Sequence, residues 1–301
     1  MKPDPATIAS VLSARFGGAW KVRDAHASAF ASSWIAESDE RLFVKTVELA
    51  NQHVLSAEAD GLVALRDTQT IRVPAVIGCW QEMSLAVLAL EWLEFSNKQN
   101  RSGAAFGDAL GALHAQLPQG EGHFGWQRDN MLGSTPQPNT WSEHTSTAGW
   151  IEFLRRNRFG HLRGLLAKGG SPAALIDAID RVLEALPRCF ADGHVPRPSL
   201  IHGDLWSGNW GTLSDGSWVI FDPAVSCSDA EAELAMMGLF GSPPEGFWPA
   251  YHARMPRAEG YAWRRDLYQL YHLLNHVVIF GHSYVDRSLA SANAVLAAVR
   301  A

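Results

Sequence analysis

The stretch Ser199–Gly211, SLIHGDLWSGNWG, followed by Gly216–Ala224, GSWVIFDPA, decides the reading of this chain. An apolar, strand-like entry leads into a His-Gly pair, then Asp204, with Asn209 five residues further on. The loop between them must return so that a carboxylate and an amide face one ligand, and Gly208 eases that return. A second apolar run, WVIFD, ends on Asp222, where a strand can deliver another carboxylate. His-Gly-Asp alone is as often a simple tight turn. The full order, Asp-x-x-x-x-Asn with a strand-borne Asp behind it, is the arrangement of a phosphoryl-transfer loop. That chemistry needs few protein groups: one to orient the acceptor hydroxyl, oxygen ligands for magnesium, and a cation on the ATP phosphates. On this reading Asp204 orients and deprotonates the acceptor, while Asn209 and Asp222 hold Mg2+.

Outward from this stretch, the pattern predicts an α+β protein of two lobes. Asp4 can cap a first helix with Pro5 at its first position, and Ile8, Val11, Leu12 and Phe16 share one face. From Trp20 to Val47 the pattern turns to strands, and RLFVKTVE places Phe43, Lys45 and Val47 on one side. A helix over 56–67 and strand-like stretches near 71–80 and 85–90 complete a small lobe. After LEWLEF the spacing becomes helical: Phe106, Leu110, Leu113 and Leu117, then Leu175, Ile179, Val182 and Leu186 behind Ser171 as cap and Pro172 at the first position. Leu267, Leu270, Tyr271, Leu274 and Val278 form a core stripe near the end. Between the first two helices lies a long Gly/Pro/Asn-rich loop, Gly120–Trp141. So long a loop is usually functional or disordered, and its tryptophans favour function. The boundaries predicted are 1–93 for a nucleotide-binding lobe ending in a hinge, and 94–301 for a catalytic and substrate-binding lobe.

Composition narrows the function further. A 47% hydrophobic share over 301 residues fits a packed globule. The opening MKPDPATIAS lacks the apolar stretch of an export signal, and Leu85–Leu93 is too short to span a bilayer, so a cytoplasmic protein without a membrane partner is expected. A net charge of −6 from 31 acidic and 25 basic residues argues against nucleic acid as a partner. Cys79, Cys189 and Cys227 are scattered without metal-type spacing, which predicts neither a disulfide framework nor a zinc site.

HGDLWSGNWG resembles the signature of the fructosamine (ketosamine) kinases, a branch of the aminoglycoside-phosphotransferase-like, protein-kinase-like fold. HFGWQRDNMLGSTPQPNTW, FDPAV with EAELAMMGLFG, LYQLYHLLNHVVIFG and LFVKTV resemble other family segments, and the likeness runs over about residues 40–285. The resemblance implies an ATP- and Mg2+-dependent kinase acting on the 3-hydroxyl of a ketosamine, free or protein-bound, in a deglycation reaction. It implies that Lys45 contacts the α- and β-phosphates, that Glu58 pairs with Lys45, and that the backbone around Glu91, Trp92 and Leu93 holds adenine. A solvated strand lysine and a solvated helix glutamate are the plainer alternatives. Trp126 and Trp206 either pack or stack on the sugar, and Asp129 and Asn130 either cap turns or bond its hydroxyls or amine.

The chain departs from the family in two places. DAHASAFASSW lacks the glycines of a phosphate-covering turn, which predicts a loose lid at 27–32. AVSCSDAEAE carries Ser226, Cys227, Ser228 and Ala230 in place of aromatic residues, a glycine and an arginine, and Glu233 where Asp is usual. This segment is expected to border the substrate. Other acceptors in the same fold (an aminoglycoside, choline, homoserine or methylthioribose) and an inactive binding protein are the alternatives. His272 and His276 read as helix histidines without a third metal ligand, and His114 as a hydrogen-bonded core histidine.

Overall fold

A computed structural model describes residues 3–25, 31–96, 101–116 and 122–299. The chain divides into two compact units, one of residues 1–97 with 211–222 and one of 98–210 with 223–301. The segment proposed as the loose lid falls mainly on 26–30, outside the described residues.

In the first unit, helix α1 (Pro5–Phe16) begins as its sequence predicts: Asp4 Oδ1 accepts from the Thr7 N–H at 2.7 Å and proline takes the first turn. Ile8, Val11 and Leu12 are buried, whereas Phe16 lies at the edge, 36% exposed. Strands β1 (Lys21–Asp24), β2 (Ser32–Glu37) and β3 (Arg41–Glu48) follow, then helix α2 (Gln52–Asp67) and strands β4 (Val76–Glu82) and β5 (Leu85–Glu91). They form an antiparallel sheet in the order β1-β2-β3-β5-β4. One face is sealed by Ile8, Val11, Leu12, Trp34, Val44 and Val87. The sheet's centre is therefore β3, the strand that carries Lys45.

The second unit is mainly helical. It contains α3 (Ala104–Ala115), a hairpin of β6 (Asn130–Leu132) and β7 (Thr135–Gln137), α4 (Thr147–Phe153), α5 (His161–Lys168), α6 (Ala173–Ala185) and strand β8 (Ser199–Ile201). A hairpin of β9 (Trp210–Thr212) and β10 (Trp218–Ile220), which from Gly211 on belongs to the first unit, comes next in the chain. The second unit resumes with β11 (Ser226–Ser228), α7 (Ala230–Met237), α8 (Phe247–Arg254), α9 (Tyr261–Phe280) and α10 (Val285–Ala298). Leu175, Ile179, Val182, Leu267, Leu270 and Leu274 lie in one buried cluster with residues of α10. Each such side chain contributes about 1.5–3 kcal/mol by leaving water. Pro172 occupies the cap of α6 with extended ψ, one residue before its predicted place, and Leu117, expected on the face of α3, lies outside the described residues. Between α4 and α5 the helix widens to π geometry over Leu154–Gly160, which no periodicity announces.

Two further differences from the sequence reading have physical causes. Residues 211–222 pack with the first unit because their backbone bonds there: Ser96 N to Thr212 O at 2.8 Å, Ser214 N to Glu94 O at 2.9 Å and Ile220 N to Arg72 O at 3.0 Å. The Gly120–Trp141 stretch is a tied-down hairpin where it is described. Gly125 and Cys227 exchange both backbone bonds at 2.9 and 2.7 Å, and Trp126 N donates to Asn139 O at 2.9 Å. Among the described residues, no helix is long and apolar enough to cross a membrane.

Candidate active site

Lys45 is buried in the middle of β3, opposite Ser33 of β2 and Leu88 of β5. Its Nζ donates to Glu58 Oε1 at 2.7 Å and to Asp222 Oδ1 at 2.8 Å. Burial opposes the charged ammonium, but the two carboxylates outweigh it and hold the Lys45 pKa above the usual lysine range. Burial likewise raises Glu58, with Lys45 pulling the other way and the Asp222 charge adding to the rise. Asp222 follows β10 with φ +58°, a left-handed conformation that aspartate tolerates better than most residues. Its side chain remains 44% exposed, so this carboxylate can serve a ligand besides Lys45.

At the end of β5 the groups expected near adenine are held by local bonds. Glu91 N donates to Ala75 O at 2.9 Å, while the Glu91 carboxylate takes Arg72 and the Ala75 N–H, the latter at 3.0 Å. Trp92 Nε1 donates to Glu94 Oε1 at 2.6 Å beneath the Arg41 guanidinium. Leu93 follows directly, before the Phe95 bridge to Leu213.

In the second unit, β8 delivers His202, Gly203 and Asp204. Gly203 has φ +85°, and a Cβ there would stand 2.0 Å from Ala224 O, so no other residue fits. The neighbouring Ala224 N donates to His202 O at 2.8 Å. Asn209 Nδ2 donates to Asp204 O at 2.8 Å and Asp204 Oδ2 at 3.3 Å, which closes the loop on itself. With that nitrogen engaged, Asn209 Oδ1 is the atom left to a cation. Gly208 is not in the left-handed conformation its sequence suggests; a Cβ there would meet the Trp206 ring at 2.4 Å, so that exposed ring would have to shift. Trp206 itself is 40% exposed.

The sequence did not place the residue that fixes this loop. Glu233 of α7, 1% exposed, accepts from His202 N and, at 3.0 Å, from Gly203 N. Behind it, His114 Nε2 lies 3.7 Å from Glu233, and His114 Nδ1 bonds the Tyr251 hydroxyl at 2.9 Å. The expected substrate border is instead interior. Ser226, Cys227 and Ser228 form β11 against β8 and are 2%, 1% and 2% exposed, with the two serine hydroxyls 2.9 Å apart. Small side chains here are what pairing beneath the loop requires. The signal available beforehand was a pair of glutamates, Glu231 and Glu233, in an otherwise apolar helix.

The other loop residues divide. Asp129 Oδ1 accepts from Asn139 N at 2.7 Å and so braces the hairpin. Asn130 is buried: its Nδ2 donates to Val225 O at 2.8 Å and its Oδ1 accepts from Gln137 Nε2 at 2.8 Å. Trp126 is half-buried, 6.3 Å from the Trp141 ring, and its indole N–H is buried with no partner among the described residues. His272 is buried and neutral, its pKa pushed down to about 3 by burial, with His276 and Arg158 adding to the effect.

This arrangement, an ion-paired strand lysine and a Gly-Asp-x-x-x-x-Asn loop, defines the protein-kinase-like fold, and comparison with known proteins places it within that class. The chain belongs to the fructosamine kinase family, whose model matches residues 6–298. A probable ketoamine kinase of Synechocystis is 38% identical over 258 residues, covering 84% of this chain and 82% of that protein. A chloroplastic protein-ribulosamine 3-kinase of indica rice is 37% identical over 252 residues, covering 82% and 70%. A crystal structure described as a putative fructosamine-3-kinase of Haemophilus somnus superposes with TM-score 0.83 at 30% identity, over 96% of each chain. A choline kinase of Streptococcus pneumoniae (TM-score 0.64) and an ADP-bound aminoglycoside phosphotransferase (0.60) share the fold alone, at 13% and 14% identity. The protein is an ATP-dependent phosphotransferase.

Proposed function

We propose that this kinase phosphorylates the 3-hydroxyl of a ketosamine, a fructosamine or ribulosamine that is free or borne on a protein lysine, in the cytoplasm where ATP is supplied. The observation that carries the reading is the Asp204–Asn209 loop, with its carboxylate held by its own amide and its backbone by Glu233. In this reading Asp204 orients the acceptor hydroxyl and takes its proton as the phosphoryl group transfers. Lys45, kept charged by Glu58 and Asp222, meets the α- and β-phosphates, and the backbone of Glu91–Leu93 meets adenine. Residues 1–93, with 211–222 packed among them, thus serve the nucleotide, and the rest of 94–301 serves catalysis and the acceptor. Asp222, with its half-exposed carboxylate, and Asn209, through Oδ1, each offer a hard oxygen of the kind magnesium takes and would hold it in this reading. Magnesium held by these residues would supply positive charge against the phosphates during transfer.

Trp126 and Trp206 supply aromatic faces for a sugar ring, and the unpartnered Trp126 N–H suits one of its hydroxyls. Asp129, exposed on the hairpin, favours a protonated secondary amine. Asn130 acts from within, by fixing the hairpin to Val225. The test is an acceptor panel at saturating Mg·ATP: fructosyl- and ribulosyl-lysine against free fructose, an aminoglycoside and choline. The ketosamines are expected to lead in kcat/KM. An amine-free sugar or an aminoglycoside in first place overturns the acceptor while leaving the kinase.

A further inference from the structure

The entrance of α7 holds a cluster that the proposed chemistry does not use. Asp229 caps the helix, with Oδ1 accepting from Glu231 N at 3.2 Å. Its Oδ2 lies 2.8 Å from His194 Nε2 and accepts from the Tyr268 hydroxyl at 2.7 Å. Glu231 Oε2 stands 3.9 Å from the same imidazole nitrogen. One nitrogen and the oxygens of two buried carboxylates thus lie within 4.8 Å of one another. They line a cavity of about 340 Å³ that is formed wholly within the second unit.

We propose that His194, Asp229 and Glu231 bind a divalent transition metal of the zinc class, separately from the magnesium of phosphoryl transfer. The donor chemistry selects the metal, because an imidazole with two carboxylates suits zinc, whereas magnesium prefers oxygen ligands and retained water. Three protein donors facing a cavity leave a fourth position to water, a common zinc arrangement. The outer contacts are those that orient metal-binding carboxylates. Tyr268 holds Asp229 and in turn accepts from Trp150 Nε1 at 2.9 Å, while Arg264 donates to both Glu231 oxygens at 2.6 and 3.1 Å. Two of the three arginines in the cavity wall are engaged: Arg254 is paired with Asp108, and Arg257 lies over the Tyr261 ring. Without metal, the His194 Nε2–H donates to Asp229 Oδ2, and binding displaces that proton to solvent. Because Glu233 lies two residues beyond Glu231 and holds the Asp204 loop, a metal here braces the helix on which that loop depends.

Calorimetric titration of the whole chain with zinc chloride, in buffer containing excess magnesium, tests the site. Wild type and His252→Gln are expected to bind one zinc per chain. His252 lines the same cavity but bonds Met255 O. His194→Gln should bind at least about a hundredfold more weakly, since even lost outer contacts weaken metal sites 10–100-fold. Zinc should raise the melting temperature of wild type and not of His194→Gln. X-ray absorption on the wild-type zinc complex provides a check independent of any variant: one imidazole nitrogen and oxygen donors are expected. Absence of saturable binding, equal binding by a folded His194→Gln, or a shell containing sulfur or several imidazoles overturns the assignment.

Discussion

Asp222 combines three properties that rarely coincide: a left-handed backbone, an ion pair to a buried lysine, and a side chain 44% exposed. A residue held this way is placed for a ligand, because an apolar strand end has no structural need of it. Asp222→Ala should therefore abolish activity and weaken Mg·ATP together, and calorimetry that returned wild-type Mg·ATP affinity would refute its metal role. The loss of one carboxylate from Lys45 leaves Glu58 in place, so the fold should persist. At this scale the sequence was informative. Asp222 was picked out by type and spacing, Lys45 and Glu58 through the family resemblance, and Lys45 lies in contact with both carboxylates. Asn130 illustrates the limit, because a polar residue in a polar loop gives no sign of being buried to 6% exposure.

Helix α7 governs the loop through a single carboxylate. Two consecutive N–H groups, those of buried His202 and half-buried Gly203, point at Glu233, which is itself 1% exposed. In Glu233→Ala each buried donor left unsatisfied costs about 1–3 kcal/mol. Urea denaturation should show a lowered midpoint and steady-state kinetics a lowered kcat, with Glu233→Asp recovering part of both. A wild-type midpoint in the alanine variant would mean that the loop is held by other groups. Element existence was largely legible: capping at Asp4, the β3 alternation and the α6 and α9 stripes each carry strong local signals. The return of residues 211–222 to the first unit, the β6–β7 hairpin and the interior position of β11 were not. The first and the last depend on backbone bonds between segments distant in sequence, which local pattern does not encode, whereas β6 and β7 are local partners whose three-residue strands are too short to show a period.

Across the whole molecule, buried ionisable groups tie stability to pH. Folded His272 stays neutral down to about 3, against an ordinary histidine value of 6.5. As pH falls through that window the unfolded chain takes up a proton that the folded chain refuses, so stability rises with pH across it and the effect vanishes above it. His272→Leu should flatten the stability–pH slope between 6.5 and 3 in chemical denaturation, whatever its stability at neutral pH. An unchanged slope would show that His272 protonates freely in the folded state. The family assignment rests on nearly the full length, residues 6–298, and it makes the reaction product the most direct evidence. Phosphorus–proton correlation NMR of the product from Mg·ATP and fructosyl-lysine is the decisive measurement. Phosphate on carbon 3 of the sugar is predicted, formed at least about a hundredfold more slowly by Asp204→Asn, whose amide cannot take the proton. Phosphate at another position, no transfer to the ketosamine, or near-normal turnover by Asp204→Asn would contradict the account.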